Sequence, residues 1–453
     1  MKYRIETDAL GEVKVPSEAL YGAQTQRAVD NFPISGLRLQ KHFIVFLALI
    51  KKHAARVNAE LGLIDENISD AIVRAAKEVM DGKHDGEFVV DVFQTGSGTS
   101  TNMNMNEVIA RRAGQVISGH AENKISVHPN DHVNLCQSSN DVIPSALNIS
   151  VSYIIEHELL PSLNKLKESL SDKSSSFSVI KKLGRTHLQD AVVITMGDEF
   201  SGYVSQIEKD IERLNEVKKY LLELSLGGTA VGTGINAHPE FAVRVIKNIA
   251  AETGIVFREA ENHFSSQAAQ DNSVSLSGVL KTIASSLTKI ANDIRWLSSG
   301  PRAGLGEINL PAVQPGSSIM PGKVNPVIPE AVLQVAAQVI GNDATITAAA
   351  AGGNFELNTM LPVISYNLIQ SLEILSSASE VFAEKCIKKI TANHDKCSSY
   401  VDNSLDIAVK LIPYIGYDKA SEIAKKAYAQ NQTVKEVVME EKILTEKQMK
   451  EIF

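Results

Sequence analysis

Cysteine is scarce, at three in 453 residues. Cys136, Cys386 and Cys397 stand too far apart for a paired C-x-x-C metal or redox site, and their odd number argues against a disulfide framework. They read as reduced structural thiols, with a Cys386–Cys397 bridge as the minor alternative. No basic run marks a nucleic-acid surface or a polybasic membrane anchor, and a formal net charge of -8 with mixed signs suits a soluble protein. Nucleic acid is therefore not an expected partner. Long apolar runs are missing as well: "HFIVFLALIKKHAARV" is broken by charge well short of a bilayer span, and "MKYRIETDALGEV" has no apolar signal core. A cytoplasmic location without a membrane partner is expected. Alternating strand patterns are few, confined to "YRIETD" and "GEVKVP".

What the chain does have is helical periodicity over a hydrophobic content of 44%, enough to bury large cores. Leu276, Val279, Leu280, Ile283, Leu287, Ile290, Ile294 and Leu297 recur at gaps of three and four and mark one helix face. Similar stripes run from Ile149 to Leu170 and from Phe200 to Leu224, and two more helices are expected over 330–350 and 361–385. Pro161 should kink or break the first stripe unless it opens a new segment. Five long helices with short or Gly-rich joints imply a bundle. The run "AVLQVAAQVIGNDATITAAAAGG" has side chains too small to fill a core alone, which favours close helix approach and oligomerisation. Composition divides the chain into an N-terminal domain of shorter helices (1–137), a central bundle (138–390) and a small, charged C-terminal domain (391–453).

Polar residues gather at joints. In "QTGSGTSTNMNMNE" (94–107), Gly96 and Gly98 alternate with Ser97, Thr99 and Ser100 before an Asn-rich helix start. Glycines let backbone N–H groups approach a ligand, and hydroxyls at a helix N-terminus suit an anion; a Ser/Thr-capped turn is the bland alternative. The Gly-Lys-Ser/Thr ending of a nucleotide P-loop is absent. In "HPNDHVNLCQSSND" (128–141), Ser138, Ser139 and Asn140 could hold a carboxylate, whereas His128 and His132 lack a third obvious metal ligand. "GRTHLQD" (184–190) brings Arg185, Thr186 and His187 before a bundle helix, although a lone histidine is more often structural. "SLGGTAVGTGINAHPE" lacks the strand context of a dinucleotide site and reads as a tight connection before a helix near Pro239. In "GSSIMPGKVNP" (316–326), glycines and prolines forbid regular helix while Ser317, Ser318, Lys323 and Asn325 could grip a carboxylate.

These four polar motifs, in this order and spacing, resemble the fumarase/aspartase superfamily over essentially the whole chain, and most closely its class II, iron-independent fumarate hydratase family. His187, His128 and Ser139 carry the distinction, because ammonia-lyases of the superfamily typically have Gln, Asn and Thr there; "GNFELN" (353–358) is also the hydratase form. "VNPVIPE" departs toward the ammonia-lyase pattern, with Glu330 retained. The resemblance implies an all-α, three-domain fold, a homotetramer with a twenty-helix core, active sites shared between three subunits, and no metal or organic cofactor.

For the reaction it implies reversible anti addition of water to fumarate, giving (S)-malate in the tricarboxylic acid cycle. Ser317 is then the base for the carbon-bound proton, Lys323 and Asn325 stabilise the aci-carboxylate, and His187 paired with Glu330 handles the water. Ser97, Gly98, Thr99, Ser138, Ser139, Asn140, Thr186, Ser318 and Val324 would contact the dicarboxylate. A second dicarboxylate site is implied at His128, Pro129, Asn130 and Asp131, weakened by Ile125 where a basic residue is usual. Ammonia-lyase and non-catalytic helical scaffold are the competing readings.

Overall fold

The computed structural model describes residues 2–118 and 127–453, so Ile125 lies outside the described residues. Strands β1 (Tyr3–Asp8) and β2 (Gly11–Pro16) form an antiparallel hairpin at the two alternating segments. Helices follow as α1 (Ala23–Asn31), α2 (Lys41–Glu60), α3 (Glu66–Met80), α4 (Thr99–Ser118), α5 (Ser139–Ile154) and α6 (Leu160–Ser176). A second hairpin, β3 (Lys181–Thr186) with β4 (Gln189–Thr195), leads into α7 (Met196–Lys218), and α8 (Phe241–Thr253), α9 (His263–Ala268) and α10 (Asp271–Leu297) come next. The chain continues through α11 (Val327–Ala350), α12 (Leu361–Lys385), α13 (His394–Asn403) and the short C-terminal helices α14 (Ile412–Ile415), α15 (Tyr417–Gln430), α16 (Val434–Glu441) and α17 (Glu446–Ile452).

Two compact units emerge: 1–162, 210–285 and 335–377 form the first, and 163–209, 286–334 and 378–453 the second. In the first, α2 packs against α3, α5 and α8, burying Phe43, Leu47, Ile50 and Ala54. In the second, Phe177, Phe200 and Tyr203 stack edge to face at 5.4 Å per pair, and the Tyr203 hydroxyl donates to Asp293 at 3.0 Å. Residues 405–453 build a separate apolar cluster around Leu411, Ile423, Val434 and Val437. Among the described residues no helix is long and apolar enough to cross a membrane.

The periodic stripes are the buried faces of α5 to α7 and α10. Pro161 neither breaks the helix nor starts a new one: α5 passes at Ile154 into a π-helical turn, Ile155–Leu159, which continues into α6 with helical backbone at Ile155 and Leu160, so the wider turn lies immediately before the residue that lacks an N–H. Two further expectations are corrected. The N-terminal helices are not all short, since α2 and α4 have 20 residues each. Strand also extends beyond the first hairpin to β3–β4, whose register shifts at Gly184 and whose burial does not alternate cleanly, so the sequence showed no period of two. Cys136, Cys386 and Cys397 are buried and free.

Candidate active site

In the first unit, the 94–101 loop and the start of α5 meet through hydroxyls. Ser97 Oγ lies 2.8 Å from Thr99 Oγ1, which lies 2.7 Å from Ser139 Oγ. The tight turn needs its glycines: Gly98 has φ +74°, and a Cβ at Gly96 would sit 1.8 Å from the Thr359 carbonyl oxygen. Ser138 caps α5, accepting from the Asn140 N–H, while its own N–H donates to the Asp141 carboxylate at 2.9 Å. Asn140 Nδ2 donates to the Ala230 carbonyl at 2.7 Å. Asp141 is fully buried and also accepts the N–H groups of Gly227 at 3.1 Å and Thr229 at 2.9 Å, so the Gly-rich "SLGGTAVG" connection is tied to the head of α5. Burial pushes its carboxyl up to about 6, against the pull of those N–H donors and of Lys51.

His128 is exposed and caps the π-helical turn Pro129–Val133, its Nδ1 accepting from the N–H groups of Asn130 and Asp131. His132 Nδ1 accepts the His128 N–H at 2.8 Å. Each histidine thus spends one ring nitrogen on the local backbone. His128, Pro129 and Asn130 line a cavity of about 600 Å³ together with Glu6, Glu107 and Arg111.

In the second unit, His187 occupies the tip of the β3–β4 hairpin. His187 and Leu188 are its two-residue loop, at φ +56° and +60°, the double left-handed geometry that matches strand twist. Thr186 and His187 are exposed. The strand beneath is anchored by charge: Arg185 grips the wholly buried Glu307 with both guanidinium ends, at 2.8 and 3.0 Å, and the buried Lys182 lies 2.8 Å from Glu199 and 3.4 Å from Glu307.

The 316–326 segment is irregular and mostly exposed. Ser317 Oγ accepts the backbone N–H groups of Ile319 at 3.2 Å and Met320 at 3.0 Å. Asn325 Nδ2 donates to the Gly316 carbonyl at 2.6 Å, and a Cβ at Gly316 would lie 1.9 Å from the Lys323 carbonyl oxygen. Lys323, Val324, Asn325 and Glu330 line one cavity of about 960 Å³ with Arg295 and Trp296. Ser318 is exposed on the same loop. Among the described residues no hydrogen bond or ion pair joins His187 to Glu330.

Thus Ser97, Thr99 and Ser139 are brought together in one unit, and the serine loop with Lys323, Asn325 and Glu330 in the other. Sequence reading missed Lys51, Lys182 and Glu307, and placed Asp141 in the polar joint before α5 without giving it a role. For Lys51 a signal existed: it falls in step with Leu47, Ala54 and Asn58 on the inward face of α2.

The sequence profile of a family described as "Lyase" matches residues 11–341, and that of "Fumarase C C-terminus" matches 407–453. A fumarate hydratase class II from Nitrosomonas europaea is 54% identical over 438 residues, covering 97% of this chain and 95% of its own. One from Halobacterium salinarum is 52% identical, covering 98% and 94%. Among solved structures, the recombinant class II fumarase from Schistosoma mansoni is 40% identical and superposes with a TM-score of 0.95 over 100% of this chain and 98% of that one.

Proposed function

The chain belongs to the lyase family, among the class II fumarate hydratases, and from that premise we propose how its residues carry the reversible hydration of fumarate to (S)-malate. The observation that carries the reading is Ser317, whose oxygen already accepts two backbone N–H groups. An ordinary serine is far too weak a base for a carbon-bound proton, but two aligned donors stabilise the alkoxide that such a base must become.

In the malate direction, a water molecule loses a proton to His187 as its oxygen bonds to one olefinic carbon. The π electrons move onto the adjacent carboxylate as an aci-carboxylate, and Ser317 then delivers a proton to the second carbon from the opposite face. Lys323 and Asn325 offset the transient charge on the carboxylate. Histidine suits its role because its side chain exchanges protons near neutral pH, and Glu330 would raise its basicity. Ser97, Gly98, Thr99, Ser138, Ser139, Asn140, Thr186, Ser318 and Val324 position the two carboxylates. We assign a second, weaker dicarboxylate site to the turn at His128, Pro129, Asn130 and Asp131.

We further propose a homotetramer in which three subunits complete each site, in the cytoplasm, with domains at 1–137, 138–390 and 391–453. Exposed apolar side chains support the assembly: Leu188 beside His187 is 69% exposed, Ile319 in the serine loop 85%, and α11 leaves Ala337, Ile340, Gly341 and Ala344 uncovered. For the C-terminal domain, support comes from the apolar cluster of residues 405–453.

The test is loss of fumarate absorbance in the purified protein, with and without ammonium. Loss in water alone is expected. Loss only with ammonium would make the protein an ammonia-lyase, and no loss at all would leave the scaffold reading.

A further inference from the structure

Lys51 has no part in the chemistry above, yet it is wholly buried inside α2. Lysine is almost never fully buried unless paired with an opposite charge. Among the described residues Lys51 forms no ion pair; its Nζ donates to two neutral carboxamides, Asn134 Oδ1 and Gln137 Oε1, each at 2.9 Å. We infer that Lys51 is a positioning residue for substrate binding: it fixes the 133–137 segment, and through it the hydroxyl cluster of Ser97, Thr99 and Ser139. The inference rests on the proposed role of those hydroxyls in holding a dicarboxylate.

The connectivity runs in both directions from Asn134. Its Oδ1 also accepts from Asn102 Nδ2 and Asn106 Nδ2, both at 3.1 Å, two residues four apart on α4, the helix that opens at Thr99. Its Nδ2 donates to the Gln137 carbonyl, and Gln137 Nε2 returns to the carbonyls of Val133 and Leu135. Asn58, two turns beyond Lys51 on α2, donates to the Leu135 carbonyl. Within this cage Cys136 is held at φ +63°, and the next residue after Gln137 is the cap of α5. The starts of α4 and α5 are thereby locked in register, and the 2.7 Å contact between Thr99 and Ser139 is the result.

Stability alone does not account for the choice of residue. A buried amine whose opposite charge, Asp141, attracts it without a direct ion-pair contact is costly, and its hydrogen bonds go to neutral carboxamides instead. A lysine here makes sense where loop geometry matters more than stability.

The experiment uses the full-length enzyme with Lys51→Met, and Gln137→Met as a second variant that removes one acceptor and leaves the lysine. Succinate binding by calorimetry is measured beside fumarate turnover. The expected result for Lys51→Met is a rise of about tenfold in both succinate Kd and fumarate KM, with kcat within about threefold, and a smaller shift of the same kind for Gln137→Met. Combining Lys51→Met with Thr99→Val should raise Kd by less than the product of the single effects, as coupled residues do. Wild-type Kd and KM in both variants, or a drop in melting temperature as the only change, would overturn the inference. If the wild type binds succinate but does not hydrate fumarate, and the variants bind more weakly, the reaction assignment fails while the positioning role stands. A wild type that binds no dicarboxylate overturns both.

Discussion

Ser317 and His187 carry separate halves of the reaction, so their replacements should fail differently. We expect Ser317→Ala to lower kcat by about 10²- to 10⁴-fold, the range of a lost general base, with the oligomer intact by light scattering. His187→Asn should depress kcat more than it raises KM, in steady-state assays of both directions. Lys51 gives a prediction of another kind. Burial brings its ammonium down to about 7 from the usual lysine value of 10.5, against the pull of Asp141. Between those values the unfolded chain holds a proton that the native chain lacks, so stability rises with pH across that window. Denaturant midpoints at pH 7 and 9 should therefore show an alkaline gain in the wild type that Lys51→Met lacks. At this scale the polar motifs were legible in the sequence, because glycines, hydroxyls and a lone lysine stand out between apolar stripes. Lys51 was missed although its spacing from Leu47, Ala54 and Asn58 puts it on the inward face of α2, because a charged side chain in an apolar stripe reads as a break in the stripe.

Among the elements, the β3–β4 hairpin shows where one-dimensional reading ends. Helix stripes repeat every three to four residues over dozens of positions, whereas this hairpin is short, bulged at Gly184, and turned by His-Leu rather than Asn-Gly. Its stability rests on a contact 122 residues away in the chain, Arg185 to Glu307, which no local pattern announces. Glu307→Gln would take the bidentate carboxylate partner from the part-buried Arg185, while Lys182 keeps Glu199 at 2.8 Å. We expect a loss of about 3–5 kcal/mol in chemical denaturation, the range for breaking a buried ion pair from one side. A displaced His187 should reduce kcat as well, and Glu307→Asp should restore part of both.

For the whole molecule, the helical class and the extents of α10, α11 and α12 could be read from periodicity, and the family from four motifs together. The two compact units could not, because each is assembled from three separated stretches of chain. Assembly was signalled only by small side chains on α11, where Ile340 now stands 46% exposed. Ile340→Glu should place a charge in any contact made there, giving a smaller species by light scattering and a matching loss of specific activity. Activity kept in a dissociated chain would remove the shared-site proposal.

Gly316 has a consequence for the energy of turnover. With no side chain at 316, and with the Asn325 amide clasping the Gly316 carbonyl, the two ends of the serine loop are already fastened together. A segment whose ends are tied has surrendered the entropy of ring closure in advance. Fixing Ser317 over a substrate then costs only the torsional freedom of the few residues between, and binding energy that a free strand would consume in ordering itself is left for the transition state.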